Sequence, residues 1–293
     1  LASCLNSAGS PLTAAEVAAG IYNLSDKEIV VGIRPPSYRA VSAGVSQKAF
    51  EMSKPAVVIL VHDRTDQLER LLSQLASQKH LDSFAVYVSC DHAPSLDRVK
   101  AVAKSSAVSL SENNVWSSVK GDLTSETDIP RENKVAQNAF RTKDVYWKIG
   151  LHFNRALSAV FDRQKHSHAI ILEDDLLLSP DFLHFFWRTA WLLEVDPSLW
   201  CVSAWNDNGF TGQARNERKL LRSDFFPGLG WLLRRELWEE LRGKWPTSSA
   251  TGWDHWMRTD ETRKGRACII PEVSRTHHAS TKGVHINKLK SRE

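Results

Sequence analysis

Three consecutive carboxylates, Glu173-Asp174-Asp175, directly follow the apolar run His168-Ala169-Ile170-Ile171-Leu172. Carboxylates held that close repel one another, and each is driven toward its protonated form unless a cation or donor hydroxyls share the space. A hard divalent ion bound by carboxylate and substrate phosphate oxygens relieves this conflict. It also neutralises a departing diphosphate. The plainer alternative is an acidic turn ahead of the helix that Ser179-Pro180-Asp181 begins, although apolar Leu176-Leu177-Leu178 lies between. A further carboxylate, Asp254, stands in Gly252-Trp253-Asp254-His255-Trp256-Met257. Large rings strip water from such a carboxylate, which suits a general base. Aromatic faces beside carboxylates also suit a saccharide; the alternative is that these rings fill core. Arg64, in His62-Asp63-Arg64, can grip a nucleotide phosphate, or else it pairs with Asp66 or Glu69. Asp91 suits a base or ribose contact, or a turn. His277-His278 and His285 are metal-ligand types, but adjacent histidines rarely both reach one ion, and polar loop is the alternative.

These groups need a frame. Ala56–Val61 is a continuous β-branched-rich run, the pattern of a strand buried on both faces. Thr65 then reads as a helix cap, with Leu68, Leu71, Leu72 and Leu75 on one helical face. Phe84–Val88 is a second strand, running to Asp91-His92, and Ser95–Lys104 a second helix. This β-α-β-α order opens a parallel sheet. Residues 111–143 are polar and read as an accessory loop. A helical pattern resumes at Val145 and runs through Tyr146, Ile149, Phe153 and Leu157 to Phe161. Strand 168–172, helix Phe182–Val195 and strand Cys201–Trp205 follow. A tight turn at Pro227-Gly228-Leu229-Gly230 then leads into the apolar Trp231-Leu232-Leu233. In open α/β sheets ligands bind at the carboxyl ends of the strands, where Arg64, Asp91 and the acidic tripeptide all fall. Residues 1–54 contain no tryptophan and read as a stem or accessory segment, leaving 55–293 as the main domain.

Composition narrows the class. The chain of 293 residues, 42% hydrophobic and 25% charged, is ordinary for a soluble globular protein. A net charge of +4 is too small to point to nucleic acid. The longest clean apolar run has six residues, against the ~20 of a membrane span. Leu1 is not an initiator, so an upstream signal or membrane anchor remains open. There is no phosphate-binding G-x-x-x-x-G-K-[ST] loop, H-E-x-x-H or G-x-S-x-G, and Gly228-x-Gly230 lacks a third glycine. Cys4, Cys90, Cys201 and Cys268 form no C-x-x-C pair and allow three complete pairings. Asn23-Leu24-Ser25 is a lone glycosylation sequon, compatible with a secretory location. Eleven tryptophans stand against two methionines, nine of them between Trp187 and Trp256. That concentration calls for a reason.

Ordered blocks carry a resemblance. Ile171–Leu176 with Ser179-Pro180-Asp181-Phe182, Asp196–Gly209, Asp224–Trp231, Lys244-Trp245-Pro246, Trp253–Arg258 and Gly265–Ile269 resemble, in order and spacing, glycosyltransferase family 13. The likeness covers roughly residues 55–285. It implies a GT-A fold, a Rossmann-like nucleotide-sugar-binding α/β fold with a mostly parallel central sheet. It implies an inverting β-1,2-N-acetylglucosaminyltransferase with UDP-GlcNAc as donor, Mn²⁺ as cofactor and a mannose-terminated glycan as acceptor, on an N-glycan or an O-mannosyl protein. The setting implied is the Golgi lumen, with membrane contact only through an N-terminal anchor. Carried over by position, Asp175 ligates the metal. Glu173 and Asp174 contact donor ribose and sugar, Arg64 and Asp91 hold the uridine and phosphate side, and His152 lies near uracil or ribose. Asp254 is the catalytic base, Trp253 stands on the acceptor side, and Arg266, Lys282 and Gly283 lie over the donor. Cys201 and Cys268 match a family disulfide. At His62 the chain departs from the family, which there has a cysteine bonded to one just after the Asp91 position; Cys90 precedes Asp91, so that bridge cannot form. A non-catalytic sugar- or nucleotide-binding module and a phosphoryl-transfer or hydrolytic enzyme are the competing classes.

Overall fold

A computed structural model describes residues 50, 53–108, 145–246 and 252–279, with the short strands at 22–23, 29–30 and 115–116. In chain order the elements are β1 (Tyr22–Asn23), β2 (Ile29–Val30), β3 (Ala56–Val61), α1 (Thr65–Ala76), β4 (Ala85–Cys90), α2 (Leu96–Ser105) and β5 (Val115–Trp116). Next come α3 (Val145–Ser158), β6 (His168–Glu173), β7 (Leu176–Leu178), α4 (Phe182–Thr189), α5 (Leu192–Val195), β8 (Leu199–Ser203) and β9 (Lys219–Ser223). The chain continues through β10 (Trp231–Arg234), α6 (Arg235–Leu241), α7 (Gly252–Arg258), α8 (Asp260–Arg263), β11 (Ala267–Pro271) and β12 (Thr276–His278).

The central sheet has the order β1-β2-β9-β11-β8-β10-β6-β3-β4-β5. Strands β6, β3, β4 and β5 form a parallel block. Antiparallel β10 joins that block to β8, beside which β11 runs parallel. The fold is therefore mixed α/β, with a largely parallel central sheet. Strand β2, within the segment read as accessory, pairs in parallel with β9 at the sheet edge.

Period-two alternation divides the core. Val57, Ile59 and Val61 of β3 face one side, where α1 contributes Leu68, Leu71, Leu72 and Leu75 and α4 contributes Phe182 and Phe186. Ala56, Val58 and Leu60 face the other, against Phe153, Ala156 and Leu157 of α3. That second face also holds Trp200, Trp231, Trp238, Trp245 and Trp253. The tryptophan excess is thus mostly one layer of scaffold. Two sequence expectations shift in detail. Thr65 is the first residue of α1 and Arg64 is its cap, with no capping side-chain bond. The helix expected over Phe182–Val195 is two helices, separated at Ala190 and Trp191.

Cys201 and Cys268, opposed on neighbouring β8 and β11, form a disulfide with Cα atoms 4.6 Å apart. Cys90 is buried at the end of β4; Cys4 lies outside the described residues. No helix among the described residues is long and apolar enough to cross a membrane.

Candidate ligand site at the strand ends

The parallel block ends in polar residues on one edge. Strand β3 delivers His62 and Arg64, β4 delivers Asp91, and β6 delivers Glu173, Asp174 and Asp175. A backbone bond from Asp174 N to Leu60 O, 3.0 Å, ties the acidic tripeptide to the end of β3. Arg64 turns its guanidinium away from the helix it caps. It donates from Nη1 to Asp175 Oδ2 at 2.8 Å and from Nη2 to Asp174 Oδ1. Asp174 and Asp175 are almost wholly buried, and each keeps one carboxylate oxygen, Oδ2 and Oδ1 respectively, without a hydrogen-bond partner.

The charge conflict expected from sequence is present. Burial, with the neighbouring Asp175 and Asp174 charges, pushes the Glu173 carboxyl up to about 8 against the pull of Arg64. Burial raises Asp174 to about 6, again against Arg64. The Asp254 charge also acts on Glu173, which puts α7 on the same side as the tripeptide.

Asp91 forms a second cluster. His62 Nδ1 lies 2.7 Å from Asp91 Oδ1, and His152 Nδ1 lies 3.5 Å from Asp91 Oδ2. His152 comes from α3, is buried, and its Nε2 meets Ser89 Oγ at 2.9 Å. Burial works to raise Asp91, but the hydrogen bond to His62 and the nearby histidine charges outweigh it and hold the carboxyl below its ordinary value. Burial keeps His152 below the usual imidazole range although Asp91 opposes it. The two strand ends that carry no cysteine bridge are therefore joined by His62 and Asp91.

Helix α7 carries Asp254, about a third exposed. Arg258, one turn on, donates from Nη1 to Asp254 Oδ2 at 2.8 Å. Its Nε holds Phe226 O at 3.0 Å, and its guanidinium lies 4.5 Å from the centre of the exposed Phe225 ring. Sequence reasoning gave Arg258 no role, although its i, i+4 spacing from Asp254 was the available signal.

Two expected site residues lie elsewhere. Trp253 is 8% exposed and packs on Phe153, Trp231 and Trp245, with ring centres 4.0, 5.9 and 5.9 Å away. Successive helical residues point ~100° apart, so Trp253 faces the core while Asp254 reaches outward. Arg266 is not brought to the acidic tripeptide either. It precedes the amino end of β11, which runs parallel to β8, so it lies at the edge opposite the acidic tripeptide. There it forks onto Glu240 at 3.0 and 2.9 Å and covers Trp200. Lys282, Gly283 and His285 lie outside the described residues.

A divalent cation fits the acidic tripeptide. Two buried carboxylate oxygens lack partners, and carboxylates suit a hard ion. No cluster of three or more potential protein ligands occurs among the described residues, so the ion would draw other ligands from phosphate oxygens and water.

These features define an α/β protein with an acidic ligand site at the carboxyl edge of its parallel strands. The GNT-I family profile matches residues 27–292, and the chain belongs to that family. A curated relative, the alpha-1,3-mannosyl-glycoprotein 2-beta-N-acetylglucosaminyltransferase of Arabidopsis thaliana, is 36% identical over 241 residues, 82% of this chain and 50% of its own length. The chain thus spans about half the length of that relative. Among solved structures, the mannosyltransferase PcManGT from Pyrobaculum calidifontis, in complex with GDP-Man and Mn2+, aligns over 85% of this chain and 68% of its own, at 15% identity and a TM-score of 0.48.

Proposed function

We propose that residues 55–293 are the catalytic unit of a GT-A, inverting β-1,2-N-acetylglucosaminyltransferase, with residues 1–54 an accessory segment. It moves GlcNAc from UDP-GlcNAc to a terminal mannose of a glycoprotein glycan, the α-1,3-mannose of an N-glycan. The place of action is the Golgi lumen. Family membership and the relative's name support this reading. The observation that carries it is the arrangement around Arg64: a buried carboxylate pair with two unpartnered oxygens, the His62–Asp91–His152 cluster at the neighbouring strand end, and Asp254 on the same side.

Each residue then has a role. Asp91 and His152 hold the uridine side, and Arg64 leaves the carboxylates for the donor phosphates. Asp175 is the metal ligand, while Glu173 and Asp174 face ribose and sugar. Asp175 would hold a Mn²⁺ ion, whose charge would offset that developing on the leaving diphosphate. Asp254 accepts the proton of the acceptor hydroxyl as that oxygen attacks the anomeric carbon. Arg258 holds the base in place.

The test is UDP release and mass-spectrometric product identification with UDP-GlcNAc, Mn²⁺ and either a Man5 N-glycan or an O-mannosyl peptide. Transfer to the N-glycan is expected. Asp254→Asn should lower kcat by ~10²–10⁴, and Asp175→Asn should abolish Mn²⁺ binding. Normal turnover in Asp254→Asn would remove it as the base. Binding of UDP-GlcNAc with no product from either acceptor would favour the non-catalytic module.

A further inference from the structure

The segment joining β9 to β10 holds an aromatic ring in the open close to Asp254. Phe225 is 44% exposed, and Phe210 is the other large apolar side chain so exposed among the described residues. A single exposed ring is ordinary on a protein surface, but two features set Phe225 apart. Its backbone is fixed. Ser223 Oγ accepts from Phe225 N at 3.2 Å and donates to Phe225 O at 3.1 Å. The next residue, Phe226, is fully buried and meets Trp200, Trp231 and Trp253 edge-on. The ring is also tied to the carboxylate through one cation. The Arg258 guanidinium lies 4.5 Å from the Phe225 ring centre, and its Nη1 donates to Asp254 Oδ2 at 2.8 Å. Ring and carboxylate are thus separated by no more than one guanidinium and its two contacts. A pyranose resting on the ring at ~3.5–4.0 Å spans that interval with a hydroxyl. The C–H-rich face of a pyranose is weakly positive, and the face of an aromatic ring is negative.

We infer that Phe225 is the platform of the acceptor subsite: a pyranose of the acceptor saccharide stacks on its ring while the attacking hydroxyl meets Asp254. The inference rests on the transferase reading above and names a residue that reading leaves without a role. It also separates the two substrates, because Arg64, Asp91 and His152 lie at the strand ends and do not touch this ring.

Steady-state transfer by the whole chain, with a mannosyl oligosaccharide as the varied acceptor, tests it. Phe225→Ala should raise the acceptor KM roughly 3- to 10-fold, the scale of one aromatic contact. Its kcat and donor KM should stay within about twofold of wild type, since binding made equally in ground and transition states shows in KM alone. Phe225→Trp, which keeps a flat face, should hold the acceptor KM near wild type. Phe225→Leu, which keeps apolar bulk without the face, should raise it as alanine does. An unchanged acceptor KM in Phe225→Ala overturns the inference. So does a fall in kcat alone, which would make Phe225 a support for Arg258. Saturation-transfer NMR with the same oligosaccharide, UDP and Mg²⁺ needs no turnover. Irradiating aromatic protons should mark sugar C–H protons in wild type and mark them far less in Phe225→Ala. Product formation with no effect of Phe225→Ala on acceptor KM or NMR transfer defeats the subsite alone. Saccharide bound through Phe225 without product keeps the subsite and defeats the catalytic reading. Neither binding nor product defeats both.

Discussion

Arg258 illustrates how one side chain fixes another. Its fork ties Asp254 to the Phe226 carbonyl, so the carboxylate is held by a group that is itself anchored. Arg258→Ala should lower kcat by about 10- to 100-fold, the equivalent of a charge-assisted bond of ~1.5–3 kcal/mol. The donor KM should hardly move, because Arg64, Asp91 and His152 are untouched. A larger effect on KM than on kcat would show that Arg258 serves donor binding instead. Single residues were unevenly legible in the sequence. Asp254 and Arg258 share a helix, so their pairing was available from spacing alone. Arg64 and Asp175 are 111 positions apart and meet only because β3 and β6 are neighbours. The edge at which Arg266 sits was not legible, because spacing cannot say which end of β11 a flanking residue occupies.

At the scale of elements, the start of α7 is constrained by Gly252. Its φ of +72° suits glycine, and a Cβ there would come within 2.9 Å of Asp254 Oδ1. Gly252→Ala should keep the fold, cost ~1–2 kcal/mol of stability, and lower kcat by displacing the carboxylate; unchanged kcat in a folded variant would deny that coupling. At the other edge of the sheet, His166 joins the starts of strands. It meets Tyr87 OH at 2.7 Å and Lys54 O at 2.9 Å. Burial holds it below the usual imidazole range, with the Arg235 and Lys54 charges adding to the effect, although the bond to Lys54 O opposes it. A depressed folded-state value means its contribution is complete above the unfolded value of about 6.5 and is lost as pH falls. The Tm advantage of wild type over His166→Gln should therefore shrink between pH 7 and pH 5. A constant difference would exclude the linkage. Strands β3, β4 and β6 were readable because strands buried on both faces leave unbroken apolar runs. β9 and β12 were not, since Lys219-Leu220-Leu221-Arg222-Ser223 and Thr276-His277-His278 owe their pairing to partners far along the chain.

For the whole molecule, two aromatic-rich layers and one covalent link hold the sheet together. The concentration of tryptophan seen in the sequence is mainly the layer under α3, α6 and α7, where Trp253 braces the helix that carries Asp254. The sequence marked that region as important but could not separate ring from carboxylate, because both sit in the same short block. The Cys201–Cys268 bond spans 67 positions, and closing such a loop contributes ~4 kcal/mol by chain entropy, a model-dependent figure. Cys201→Ala paired with Cys268→Ala should lower the unfolding free energy by ~2–5 kcal/mol in denaturant titrations; no loss would make the bond dispensable. The same bond also certifies assembly. Cys268 lies opposite Cys201 only in the native register of β11 on β8, and a one-residue slip turns a strand side chain to the other face. A slipped chain would keep two reactive thiols apart, so oxidation acts as a proofreading step, and alkylation during refolding would label the chains that failed it.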